Sequence, residues 1–322
     1  MREFEFIDLI RKELGGAGAR EGIIGDDCAV LDSPAGKILL TTDEMVEGVH
    51  FSMEYFSWED VGYRAVSAAC SDIAAMGGKV LGVLVALGLP PDFEEHKFRA
   101  LYRGINRFVR CNGKLIGGNI ARSVGGVHIV TSVVGAAKRP ILRSGARVGD
   151  GIYITGTLGG SLAGLLMLKN RLGEKISPLE RDMLSVRHRR PKSRTKEGEL
   201  IGEFPVHAMI DISDGLWSDL GHILSESGVG AEVELEKVPL YHGVESVAAL
   251  LKMGPHILAA KSGEEYELLF AADEDTAKNL ARALFDQFHT PITRIGRIVP
   301  SGVKVTLYGQ EIDPTQLSGW EH

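Results

Sequence analysis

Residues 58–78 read WEDVGYRAVSAACSDIAAMGG, a proline-free run that predicts one helix over 58–76, closed by Gly77-Gly78. Ala65, Ser67, Ala68, Ala69, Ala74 and Ala75 make it rich in small residues, so it can lie close against a sheet. The sheet is legible on both sides. Strand-like runs over 28–31 and 37–42 precede the helix, separated by the turn DSPAG, and an apolar run over 80–88 follows it. Pro90-Pro91 then breaks the chain, 93–111 reads as a helix, and 114–116 and 127–137 read as strands. Residues 4–14, with Phe6, Ile7, Ile10 and Leu14 at helical spacing, predict an amphipathic helix. Alternating strand and helix places this half in the α/β (α+β) class.

The segment 138–148 has little periodicity and carries Pro140, which puts a domain boundary there and divides the chain into 1–137 and 138–322. The second half opens with a strand over 151–155, the glycines Gly156, Gly159 and Gly160, and a helix over 161–169. This strand-loop-helix lacks both the GxGxxG order and the Gly-Lys-Ser/Thr of a phosphate-binding loop, so it reads as a tight structural turn. Further elements are expected over 230–235, 242–253, 267–272, 274–285, 293–298 and 303–308.

Four acidic clusters stand out: Gly25-Asp26-Asp27, Thr41-Thr42-Asp43, Ser71-Asp72 and Asp211-Ile-Ser-Asp-Gly215. Each taken alone suits a solvated turn or a helix cap, and Asp214 in particular could start a helix over 216–225. Taken together they suit a cation, because carboxylates gathered from distant segments need positive charge to hold them. Mg²⁺ takes oxygen ligands and sits between carboxylates and substrate phosphates, and the neighbouring hydroxyls fit the same role.

Composition narrows the alternatives. The chain has 322 residues, a net charge of -7 and no basic block longer than Arg187-His188-Arg189-Arg190, which argues against a nucleic-acid binder. Cys28, Cys70 and Cys111 form neither a CxxC motif nor a disulfide framework, and a reducing cytoplasm fits them. No membrane span or signal peptide is expected from the apolar runs.

The clusters, in order, resemble the thiamine-monophosphate kinase family, within the superfamily of aminoimidazole ribonucleotide synthetase and selenophosphate synthetase. The resemblance rests on GDDCAVL (25–31), Thr42-Asp43 with EGVHF (47–51), SDIAAMG (71–77), GGN (117–119), LRSGA (142–146), DISDG (211–215), SGEEYEL (262–268) and Gly319-Trp320. It implies a two-domain fold whose N-terminal sheet forms a barrel across a homodimer interface, followed by a C-terminal α/β domain. It also implies ATP-dependent phosphorylation of thiamine monophosphate by in-line transfer, with several Mg²⁺ ions and no covalent nucleophile.

By that resemblance Asp27, Thr41, Thr42, Asp43, Asp72, Asn119, Asp211 and Asp214 match metal positions. Gly118, Asn119, Arg143 and Ser213 match ATP contacts, and His50, Glu264 and Trp320 match acceptor contacts. Asn119 departs from the family's usual Asp, keeping an oxygen but losing a charge. Glu265 replaces another Asp; it and Glu264 also read as exposed acids at a helix entry. Another ATP-using member of the superfamily, or a nucleotide sensor without catalysis, are the competing readings.

Overall fold

The computed structural model describes residues 26–33 and 36–317. The helix expected over 4–14 and Trp320 lie outside the described residues. The N-terminal domain runs β1 (Ala29–Ser33), β2 (Gly36–Val46), α1 (Trp58–Ala75), β3 (Lys79–Leu89), α2 (Glu95–Asn112), β4 (Leu115–Arg122) and β5 (His128–Ala137). Its sheet has the order β1-β2-β5-β3-β4 and is antiparallel except for the β3–β4 pair. Among the described residues this sheet is open, with β1 and β4 at its edges.

Strand alternation gives the sheet two unlike faces. Leu39, Met45, Val83, Val85, Leu87, Ile129 and Val133 are buried on the side that α1 covers. The opposite face, including Leu84 at 37% exposure, has no element on it among the described residues. Ser57 starts α1 with a capping box to Asp60. α1 and α2 meet at backbone distance, because a Cβ on Gly62 would lie 2.0 Å from the Leu101 carbonyl oxygen and one on Gly104 2.0 Å from that of Glu59.

The C-terminal domain continues with β6 (Gly151–Thr155), α3 (Gly160–Lys169), α4 (Pro178–Arg189), α5 (Thr195–Ile201), β7 (Ala208–Asp211), α6 (Leu216–Ser227), β8 (Gly230–Glu234), α7 (Val244–Leu251) and α8 (Pro255–Ala260). It closes with β9 (Leu268–Ala272), α9 (Glu274–Phe288), β10 (Ile292–Val299), β11 (Val303–Leu307) and β12 (Gln310–Glu311). The sheet order is β12-β11-β8-β10-β6-β9-β7, and only β8 and β11 pair in parallel. Helices cover both faces: Leu216, Leu220 and Ile223 of α6 pack on Ile152, Ile154 and Ile210, while Leu280 and Leu284 of α9 pack on Tyr153, Met209 and Phe270. α4 and α5 fall where no element was expected. Ser177 with Pro178 and Glu180 forms the capping box that starts α4, a signal present in the sequence.

The two domains share a core. Ala74 and Ala75, at the end of α1, are fully buried with Ile201, Val206, Met209 and Phe270. The small residues of α1 thus serve the domain joint as well as the sheet, and they bring Asp72 beside the end of β7. No helix among the described residues is long and apolar enough to cross a membrane.

Candidate active site

Three acids from three segments converge at this joint. Asp27 precedes β1, Asp72 lies in α1 and Asp211 ends β7, and their ligand oxygens lie within 4.8 Å of one another. Asp211 is 2% exposed and the Asp27 side chain likewise 2%, whereas Asp72 keeps partial exposure. Among the described residues one cation answers them: Arg143 donates to Asp27 Oδ1 from Nε at 3.1 Å and Nη2 at 2.5 Å, and its backbone N–H donates to Asp26 at 3.2 Å. The Thr41 hydroxyl donates to Asp72.

Charge is crowded here. Burial, then repulsion from Asp211 and Asp26, carries Asp27 up to about 8 against the pull of Arg143. Burial carries Asp211 up to about 6, and burial with repulsion from Asp43, Asp211 and Asp27 raises Asp72 well above the carboxylate range. Asp27 Oδ2 and Asp211 Oδ2 are buried with no hydrogen-bond partner among the described residues. Buried oxygens left unsatisfied are costly, and three carboxylates facing one arginine fit a hard divalent cation such as Mg²⁺.

The other expected metal positions divide by strand face. Asp43 shares the α1 side of β2 with Leu39 and Met45, and its charge acts on Asp72. Thr42 points to the open side, where its hydroxyl pairs with Ser132 Oγ at 3.0 Å. Asp214 and Ser213 occupy the loop between β7 and α6. Asp219, which the sequence analysis missed, fixes that loop by accepting the backbone N–H groups of Ser213, Asp214 and Gly215 at 3.1–3.2 Å. An acid early in a helix after a glycine is the signal that marked it.

Gly118 and Asn119 lie on the edge strand β4. Asn119 is in register with Ala86, Val130 and Glu44, so β3 and β5 separate it from β2 of its own chain. His50 accepts the backbone N–H of Val46 at Nδ1, 3.0 Å away, in the turn that follows β2. Glu264 follows α8 with φ +57°, and its backbone N–H donates to the Ser213 carbonyl at 2.6 Å. Its carboxylate pairs with Arg64 of α1.

Glu265 corrects the expectation of an exposed acid, since it is fully buried. Arg187 donates to its Oε2 from Nε at 2.9 Å and Nη2 at 2.8 Å, and to Glu267 Oε1 at 3.0 Å. Arg194 in turn holds Glu267 and Glu197. The basic block of the sequence is therefore partly an internal counter-charge that supports the 262–267 turn. Glu265 also accepts the Ser161 backbone N–H at 3.0 Å, so the start of α3 is capped by the chain's own carboxylate. This agrees with reading the glycine-rich segment before α3 as a structural turn.

Residues 25–137 match the N-terminal domain of AIR synthase related proteins and residues 147–308 match the C-terminal domain. The thiamine-monophosphate kinase of Aquifex aeolicus is 36% identical over 324 residues, covering 99% of this chain and 97% of that protein. That of Bacillus subtilis is 33% identical, covering 92% and 91%. A solved ThiL structure complexed with AMPPCP and TMP is 35% identical, with a TM-score of 0.86, covering 100% of this chain and 97% of that one. Hydrogenase-maturation protein HypE, as solved in complex with HypF, shares the fold at 21% identity and a TM-score of 0.76. With both domains matched and near full-length relatives above 30% identity, the chain belongs to the thiamine-monophosphate kinase family.

Proposed function

We propose that the chain transfers the γ-phosphoryl group of ATP to the phosphate of thiamine monophosphate, giving thiamine diphosphate and ADP. The observation that carries this reading is the convergence of Asp27, Asp72 and Asp211, with two buried carboxylate oxygens left without partners. The attacking group is a phosphate oxygen that is already anionic, so no strong general base or covalent nucleophile is required. The obstacle is repulsion between two phosphate-bearing substrates. Asp27, Asp43, Asp72, Asp211 and Asp214, with Thr41, are the residues that would hold several Mg²⁺ ions at the joint, whose chemistry is to neutralise phosphate charge and align in-line transfer, while Thr42, on the opposite face of β2, would reach an ion only on the open side of the sheet.

Arg143 neutralises Asp27 in this structure and would turn to the nucleotide once that carboxylate serves a cation, its planar fork suiting a phosphate. Ser213, Gly118 and Asn119 complete the ATP contacts. His50, Glu264 and Trp320 take the acceptor, Glu264 by accepting from its aminopyrimidine. Domains 1–137 and 138–322 divide the work, with the nucleotide and metals held at their joint.

The active form is a homodimer in which the open face of one N-terminal sheet meets a second copy and closes the barrel. The exposed Leu84 and the remoteness of Asn119 from β2 of its own chain support this arrangement. The three free thiols fit a cytoplasmic protein. The test is turnover with ATP, Mg²⁺ and thiamine monophosphate, with thiamine species resolved by chromatography and free thiamine as the comparison. Thiamine diphosphate formed only from the monophosphate is expected. ATP binding without product would instead support another acceptor or a sensor, and Asn119→Asp would then be the next variant to make.

A further inference from the structure

Arg64 is the largest of the fully buried side chains among the described residues, at 1% exposure. A buried guanidinium is costly unless its hydrogen bonds are met, so its partners say what it is for. It donates from Nη1 to the His188 carbonyl, its Cζ lies 5.5 Å from the centre of the Phe56 ring, and Nη2 pairs with Glu264. Every one of these contacts faces the domain joint. Glu264 is held in a left-handed turn, and its side chain is 34% exposed although its carboxylate meets the buried Arg64.

The wall beside it is unusual. His188 is 3% exposed, lies 5.4 Å from Phe56 and 6.1 Å from Tyr55 between ring centres, and neither ring nitrogen has a hydrogen-bond partner. His188 and Phe56 back the Arg64–Glu264 pair from inside, and Tyr55 is the partly exposed ring beside it; an aromatic face next to an ionised carboxylate suits a flat, nitrogen-bearing ring rather than a phosphate. Arg64, Ala68 and Asp72 follow at i, i+4 spacing along one side of α1. Eight residues of helix span about 12 Å.

We propose that Arg64 is a positioning residue for the phosphate acceptor. From α1 it fixes Glu264, ionised and partly open, at the aminopyrimidine end of the acceptor, while Asp72 of the same helix marks the phosphate end. This rests on the acceptor contact assigned above to Glu264, and it makes α1 a ruler that selects acceptors by length as well as by end group. An ionised carboxylate accepts from an amino group, and Arg64 is the partner that favours the ionised form of Glu264 and fixes where its oxygens lie.

Initial-rate kinetics of the full chain test this with Arg64→Met, Arg64→Lys, Glu264→Gln and the Arg64→Met/Glu264→Gln double variant. Arg64→Met should raise KM for thiamine monophosphate by about tenfold or more, with KM for ATP within about twofold of the parent. Arg64→Lys should fall between the two, since it keeps the charge and loses the fork. The double variant should show a KM for the monophosphate within about twofold of Glu264→Gln alone, because Arg64 acts through Glu264. Equal rises in both KM values, or additive effects in the double variant, would overturn the proposal. If Arg64→Met does not fold, an unchanged KM for the monophosphate in Arg64→Lys overturns it equally. A parent that forms no thiamine diphosphate removes the functional reading and this proposal together; an active parent without the KM split removes this proposal alone.

Discussion

Asp72→Asn is expected to stabilise the metal-free protein at about pH 8 while abolishing turnover, a combination that follows from the crowding of carboxylates. Asp27, Asp72 and Asp211 bring ligand oxygens within 4.8 Å of one another, and burial raises all three. A carboxyl raised in the folded state contributes its full stability below its unfolded value and loses that contribution as pH rises through the folded value. For Asp211, carried from 3.8 to about 6, the loss is about 3 kcal/mol and falls within that window. For Asp27, carried to about 8, it continues to higher pH.

An amide at position 72 still has an oxygen to accept the Thr41 hydroxyl, and it carries no charge at any pH. Asp27 and Asp211 then ionise against one negative neighbour fewer. The expected gain in EDTA at about pH 8 is about 1–3 kcal/mol, the scale of one unsatisfied buried group. Mg²⁺ should stabilise the parent more at about pH 8 than at about pH 5.5, where the acids hold their protons, and should stabilise Asp72→Asn less than the parent at the higher pH. Urea unfolding at both pH values, in EDTA and in Mg²⁺, reads these comparisons. A variant less stable than the parent in EDTA at the higher pH, or an equal Mg²⁺ increment in the two proteins, would refute both the mutual repulsion and the assignment of Asp72 to the cation site.

His188, held down to about 3 by burial, stays neutral in the folded protein, so its contribution is complete above 6.5 and is lost as pH falls toward 3. His188→Phe should therefore lose less stability than the parent between about pH 6.5 and about pH 5, and an NMR titration in which His188 protonates near 6.5 would contradict its burial. Glu267→Gln leaves Arg187 and Arg194 short of their shared partner and should cost about 3–5 kcal/mol in urea; a cost below about 1 kcal/mol would show that the two arginines are satisfied without it. Gly62→Ala would set a Cβ 2.0 Å from the Leu101 carbonyl oxygen and should destabilise by about 1–3 kcal/mol, whereas Gly221→Ala in α6, with nothing within 4 Å, should stabilise by about 0.5–1 kcal/mol. A stabilising effect of Gly62→Ala would mean that α1 and α2 are not in backbone contact.

Local signals carried the reading of the fold a long way. α1 was bounded within a residue or so because its cues are adjacent in sequence, an uninterrupted run of small residues and a closing glycine pair; the Ser57 capping box was a further cue left unread. β3, β6, β9, β10 and β11 followed from apolar runs of strand length. What failed was non-local. β4 runs to Arg122, well beyond the expected 114–116, because Gly117, Gly118 and Asn119 have poor strand propensity and are held by pairing with β3. α5 is short, and its charged face is spoken for by Glu197 inside a buried ion network that no local pattern reveals.

The site divides along the same line. Asp27, Asp43, Asp72 and Asp211 were legible because each sits beside a hydroxyl or another acid in a short motif, and four such motifs in one chain are hard to explain as separate turns. Arg64 left a different and readable mark. Val61, Ala65, Ala68, Ala69 and Ile73 define the buried stripe of α1, and position 64 falls inside it. A charge in an apolar stripe must find a counter-charge from another element, and the sequence offers many acids outside the predicted helices and the four clusters, of which Glu264 is one. The sequence therefore holds the question that Arg64 poses, a buried cation in need of a partner, while only the packing of α1 against the 262–267 turn supplies the answer. The same packing ties recognition of the acceptor's far end to the helix that carries Asp72, so a substitution that rotates α1 should disturb cation binding and acceptor binding together.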